Sequence, residues 1–217
     1  YEDARSELEK VLQSVQEIGD LFGEATARHN LATIRLNQGD YEEARAEFEE
    51  VLRVRQEIGD RSGEATTRQQ LATIAAEQGD YEKARSKFEE AQRTYQEIED
   101  RRGEVRTRHN LATIAAEQGD HEEARSELEE ALQIRQEIGD RSGEVKTRHN
   151  LAAIALLERR DNEEARAGFQ KALEIFRQIG DRSWEATTRH QLATIALNQG
   201  GYEEARAGLE EAIEIFR

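Results

Sequence analysis

The chain has no cysteine, no proline and no methionine, and a single tryptophan among its 217 residues. Without cysteine it can form no disulfide, no zinc–thiolate site and no thiol nucleophile. That absence fits a reducing compartment, and a cytoplasmic location is the expectation. Long apolar runs are also lacking. None approaches the roughly 18–20 residues needed to cross a bilayer, and no signal-peptide pattern stands at the start, so no membrane partner is expected. Positive charge is in deficit: 31 Lys and Arg face 47 Asp and Glu, for a net charge of −16. Phosphate binding needs a basic surface, so nucleic acid is not expected as a partner. With no initiator methionine and a start at Tyr1 in the middle of a repeat, the chain reads as a fragment of a longer protein.

Charged residues make up 36% of the sequence, and mean hydropathy is −0.92. Such values also suit disordered chains, but those lack the periodic apolar positions found here throughout. The sequence repeats itself. LATIAAEQGD stands at 71–80 and again at 111–120, and EIGDRSGE stands at 57–64 and at 137–144. A fixed period in this range marks a solenoid whose units are each too small to bury their own apolar face.

Residues 1–18 predict one helix, with Ala4, Leu8, Val11, Leu12, Val15 and Ile18 spaced by threes and fours. Gly19-Asp20 ends it, and the pair recurs at 59–60, 139–140 and 180–181. Glycine supplies a left-handed C-cap, and the aspartate can accept from the next helix's orphan amides. Asp40 with Glu43 reads as a capping-box variant. Two helix types then alternate. The LATIA type (A) is expected near 23–38, 64–78, 104–118, 144–159 and 184–199. The EEARxxFEEAL type (B) is expected near 1–18, 41–58, 81–98, 121–138, 162–179 and 202–217. A lone B helix at 1–20 thus precedes five A–B units, about 23–60, 63–100, 103–140, 143–181 and 183–217, forming one solenoid over 1–217. Linkers this short make consecutive helices antiparallel neighbours.

Small residues recur at fixed places, Ala32, Ala72, Ala112, Ala152 and Ala193 in A and Ala44, Ala84, Ala124, Ala165 and Ala205 in B. They are expected where helix axes approach closely. Leu71, Leu111 and Leu151 in A, and Phe48, Phe88, Leu128 and Phe169 in B, are expected to fill the space between. Late irregularities are the ERRDN turn at 158–162, Gly201 in place of an N-cap Asp, Gly168 and Gly208 inside B helices, and Trp184 where Gly stands at 63, 103 and 143. Each interior glycine is expected to cost about 1 kcal/mol relative to alanine.

NLATIAAEQGDYEKARSKFEEAQ, with its Leu-small pair, Gly-Asp-Tyr, and Ala–aromatic–Ala spacing, resembles the tetratricopeptide repeat family. In the unit at 105–138 the matching residues are Leu111, Ala112, Gly119, Asp120, His121, Ala124, Leu128 and Ala131. The resemblance covers essentially the whole chain. It implies an all-α solenoid, a right-handed superhelix of antiparallel pairs with about eleven helices. There are departures from the pattern: Arg28, Arg68, Arg108, Arg148 and Arg189 stand where the family often has Trp, and the helix-ending Pro is absent. The unit is stretched from the usual 34 residues or so to 40, as its copies show. That long form resembles the repeats of Pins-type adaptors, kinesin light chain and bacterial regulators, all of them binding scaffolds rather than enzymes.

The helical wheel places Arg106, Asn110, Thr113 and Glu117 opposite the core face of Leu111, Ala112 and Ala115. The resemblance implies that this face of every A helix lines a concave groove. Three ladders then follow: Asn30, Gln70, Asn110, Asn150 and Gln191; Thr33, Thr73, Thr113, Ala153 and Thr194; and Thr26, Thr66, Arg106, Lys146 and Thr187. Carboxamides both donate and accept, so they can hold the backbone of an extended peptide without reading its sequence. Arg106 and Lys146 make the ladder locally basic, which predicts an acidic peptide. His29, His109, His149 and His190 share one repeat position with Gln69, one per unit and without a Cys or local His partner; packing or groove lining is expected, not metal. The arginine series is expected to pair with Glu on a neighbouring B helix, and the Trp184 ring to cover apolar surface. No cofactor and no catalytic activity are expected, since isolated His and Glu make no catalytic set. A second reading is end-to-end self-association through Val11, Val15, Ile213 and Phe216.

Overall fold

The computed structural model describes residues 2–158 and 162–215. Among them stand eleven helices and no strand: α1 (Glu2–Ile18), α2 (Leu21–Gln38), α3 (Tyr41–Ile58), α4 (Arg61–Glu77), α5 (Tyr81–Glu97), α6 (Arg101–Glu117), α7 (His121–Glu137), α8 (Arg141–Leu157), α9 (Asn162–Ile179), α10 (Arg182–Asn198) and α11 (Tyr202–Ile215). Odd-numbered helices are the B type and even-numbered ones the A type. The A helices start two or three residues earlier than apolar periodicity predicts, because their first turn is fixed by capping and not by burial. Asp20, Asp60 and Asp140 each accept the amide of Gly23, Gly63 and Gly143 at 2.9 Å. Most of the expected turn at 158–162 and residue Phe216 lie outside the described residues.

Each helix preceding a Gly-Asp pair ends in the same way. At the first, Gly19 N–H donates to Gln16 O (3.2 Å) and Asp20 N–H to Val15 O (2.9 Å), the paired bonds of a Schellman cap. The cap residue must be left-handed, and Gly79 is, at φ 76°. At the equivalent place between α5 and α6 stands Glu99, held at φ 57°. A side chain there costs roughly 1–2 kcal/mol. One expectation fails at Asp40, which caps α3 without a side-chain hydrogen bond, so no capping box closes there.

The helices form two compact units, Tyr1–Ile114 and Ala115–Arg217. In the first, each bulky B residue wedges between two A helices. Phe48 packs with Ala32, Ala44, Leu71 and Ile74, and Phe88 with Ala72, Ala75, Ala84, Leu111 and Ile114. Further along the same helices, Val51 and Val54 meet Ala25, and Tyr95 meets Ala65 and Ala91. In the second unit Phe169 packs with Ala152, Ala155, Ala165 and Ile195, and Phe176 with Val145, Ala172 and Trp184. All the repeated alanines are buried. Full burial of a phenylalanine such as Phe48 or Phe169 contributes about 1.5–3 kcal/mol.

Two details differ from the sequence expectation. Leu151 is only half-buried, unlike Leu71 and Leu111. Gly168 and Gly208 are not simply weak points: a Cβ on them would stand 2.9 Å and 3.3 Å from the Cβ of Ala152 and Ala193. In these two pairs the helix backbones approach closely because the glycines allow it.

Candidate functional site

Every A helix carries a Glu–Arg pair four residues apart, at 24/28, 64/68, 104/108, 144/148 and 185/189. The sequence reading noticed only the arginines. The preceding B helix adds a donor to the glutamate: Gln16 to Glu24 (2.9 Å), Gln56 to Glu64 (3.4 Å), Gln96 to Glu104 (3.0 Å), Gln136 to Glu144 (3.4 Å) and Arg177 to Glu185 (3.4 Å). The following B helix adds an acceptor to the arginine, as expected: Glu47 for Arg28 (3.3 Å), Glu90 for Arg68 (3.1 Å) and Glu211 for Arg189 (2.9 Å). Burial would raise the pKa of Glu64 and Glu185, but the hydrogen bonds and charge of Arg68 and Arg189 outweigh it and hold both below the usual range. These networks stitch B to A to B.

A second buried polar series was not foreseen. Thr67, Thr107, Thr147 and Thr188 are fully or almost fully buried. Each donates its hydroxyl to the carbonyl four residues back, Gly63, Gly103, Gly143 or Trp184, at 2.7–3.1 Å. The spare lone pairs accept from neighbouring helices: Arg55 of α3 donates to Thr67 Oγ1 at 2.9 Å, Gln69 Nε2 reaches Thr107 Oγ1 at 2.6 Å, and His149 Nδ1 lies 3.0 Å from Thr188 Oγ1. Because Thr188 spends its proton on Trp184 O, the hydrogen-bond network assigns the Nδ1–H tautomer to His149. The His149 ring packs edge-on against Phe169 (4.8 Å) and Trp184 (5.1 Å), and burial pushes its pKa down to about 4. His29, set edge-on against Phe48 at 5.2 Å, is likewise lowered to about 4, by burial first and the charge of Arg55 second. At His29 and His149 the histidine position is thus one of packing, whereas His190 is exposed. Among the described residues no group of three His, Asp or Glu is placed to hold a metal ion.

The predicted ligand face lies outside the core in both units. In the first, Asn30, Arg106 and Thr113 are exposed, and Thr33, Gln70, Thr73 and Asn110 are half-buried. In the second, Lys146, Asn150, Gln191 and Thr194 are half-buried. Thr33, Thr73, Thr113 and Thr194 each donate to the carbonyl four residues back at 2.9–3.0 Å, leaving only acceptor capacity for a ligand. Asn30, Gln70, Asn110 and Gln191 make no side-chain hydrogen bond among the described residues. The two cations are less alike than their sequence position suggests. Arg106 is exposed, lies 5.9 Å over the Tyr95 ring and donates to its hydroxyl at 3.4 Å. Lys146 is ion-paired with Asp181 at 3.1 Å and lies 5.5 Å over the Trp184 ring. Trp184 itself stacks on Phe176, with centroids 5.6 Å apart, covering apolar surface as expected. The glycine at the corresponding place in an earlier unit, Gly103, leaves room for Tyr95; a Cβ there would fall 2.3 Å from the ring.

Fold and face together define an α-solenoid of helix hairpins that presents repeated polar positions on its A helices. A family model described as tetratricopeptide repeat matches residues 1–57, 23–97, 103–159 and 145–217, and the chain belongs to that family. No curated protein matches it in sequence. Among solved structures it is similar to BtubC (BKLC) from P. vanneervenii, with TM-score 0.84 and 20% identity over 99% of this chain and 90% of that one. It is also similar to a Podosopora anserina putative kinesin light chain with nearly identical TPR-like repeats, with TM-score 0.70 and 19% identity over 88% and 93%. A third is the Rap conjugation gene regulator of the plasmid pLS20 in complex with the Phr* peptide, with TM-score 0.72 and 17% identity over 90% of this chain and 54% of that one. At these identities the likeness is one of fold. No described helix is long and apolar enough to cross a membrane.

Proposed function

We propose that the chain is a protein-interaction scaffold that binds an extended peptide along the A-helix ladders, with a preference for an acidic one. The observation that carries this reading is the set of carboxamides at Asn30, Gln70, Asn110 and Gln191. They recur at one repeat position outside the core, and their donors and acceptors are unspent within the described residues. Unspent amides on a fixed helical spacing match what a peptide backbone offers. The peptide complex of the pLS20 Rap regulator supports the reading by analogy of fold. Arg106 is the exposed charge behind the acidic preference; Lys146 contributes less, being already paired with Asp181. Panning a phage-displayed random peptide library against the immobilised chain tests it. Acidic sequences should be enriched, and Arg106→Glu with Lys146→Glu should remove that enrichment while circular dichroism stays unchanged. A library that yields no reproducible peptide sinks the peptide reading, and unchanged sequences on the double variant sink its acidic part.

Exposed apolar residues favour a second reading, self-association. Val11, Ile18 and Phe22 are exposed on α1 and α2, and Leu209 and Ile213 on α11. Sedimentation velocity over a concentration series decides it: a strict monomer removes this reading.

A further inference from the structure

The second unit contains a cavity of about 200 Å³ that has no place in the ladder reading. Leu151, Ala152 and Ala155 of α8 and Ala172 and Ile175 of α9 form its apolar lining, with Arg125, Arg148, Lys171 and Glu164 among its polar groups. Lys146, Asn150 and Ala153 lie on the opposite side of α8, about half a turn away on the helical wheel.

The repeat itself explains the charge here. Two positions of the following B helix hold Glu47 and Glu50 after Arg28, Lys87 and Glu90 after Arg68, Glu127 and Glu130 after Arg108, and Gly208 and Glu211 after Arg189, so every other repeat keeps a carboxylate at the second position. After Arg148 the same two positions hold Gly168 and Lys171. Neither position offers a carboxylate, and the second, a glutamate in every other repeat, is a cation. Arg148 keeps Glu144 at 2.9 Å, and Lys171 is exposed and without an ion pair among the described residues. At the other end Arg125 is paired with Glu158 at 2.8 Å and faces Glu164. The pocket is therefore polarised, with its positive end at Arg148 and Lys171.

We infer that this cavity binds a small branched-chain carboxylic acid, whose carboxylate replaces the missing glutamate between Arg148 and Lys171 and whose aliphatic body rests on Leu151, Ala155 and Ile175. Ligand pockets for drug-sized molecules run to about 300–1,000 Å³, so the smaller volume sets the size of the body. Binding is independent of the peptide reading, because none of these residues belongs to the ladders.

Isothermal titration of the whole chain with isocaproate, with amide shifts followed by NMR, tests the inference. Saturable binding that moves the Gly168 and Ala172 amides is expected. Isoamyl alcohol, of similar shape but uncharged, should bind at least roughly tenfold more weakly, as should isocaproate to Lys171→Met. Lys171→Glu should abolish binding, since it restores the carboxylate the repeat supplies elsewhere. Lys171 is exposed, so both variants should keep the wild-type circular dichroism. No saturable shift at those amides overturns the inference, as does equal binding by the alcohol or by Lys171→Glu. Tighter binding of N-acetyl-leucine than of isocaproate overturns the free acid as occupant in favour of a chain end.

Discussion

Acidification should destabilise the second unit through one imidazole. His149 is buried against Phe169, Phe176 and Trp184, donates from Nδ1 to Thr188, and has its pKa lowered from 6.5 to about 4 by burial. The folded pKa lies below the unfolded one. The neutral imidazole's contribution is thus fully present above about pH 6.5, fades as pH falls, and is lost below about pH 4. A gap of this size corresponds to about 3 kcal/mol once both states are protonated, and to about 2 kcal/mol at pH 5. For a chain of this length, about 2 kcal/mol lowers the melting temperature by roughly 4–8 °C. Carboxylates titrate too, so the useful comparison is with His149→Gln. Glutamine already serves this position in the first unit, where Gln69 donates to Thr107. Expected is a variant as helical as the parent at pH 7 whose melting temperature falls several degrees less between pH 7 and pH 5. If both proteins lose the same number of degrees, the buried-imidazole account is wrong.

Glu99→Gly should raise stability by about 1 kcal/mol by relieving the left-handed glutamate, read from the urea midpoint. Leu111→Ala, at a side chain buried in the core of the first unit, should cost about 2–5 kcal/mol in the same assay; no loss would remove Leu111 from the core. Gly103→Ala should cost about 1–3 kcal/mol, because its methyl would meet the Tyr95 ring. The same change at Gly39, where a Cβ meets nothing within 4 Å, should cost only the price of its left-handed backbone.

Where sequence reading stopped short, the reason is the same each time: a polar residue's role depends on a partner distant in the chain. Thr107 stands four residues before Leu111, so the helical period already put it on the core stripe, yet its polarity hid that. Its acceptor is satisfied only by Gln69, a helix hairpin away. Arg106 and Lys146 occupy equivalent positions and looked alike, but one lies over Tyr95 and the other is neutralised by Asp181. Gly168 read as a helix defect because its close neighbour, Ala152, belongs to another helix.

By itself the sequence determined the eleven helices, where they stop and their buried alanines, since a period of 3.6, a Gly-Asp cap and a fixed repeat are local properties of the chain. Only the tertiary structure decided which polar groups are spent inside and which are left unspent outside the core. Burial, pairing and pKa are set by what neighbouring helices bring to the contact, and a repeat whose copies differ by one glycine or one lysine brings something different at each.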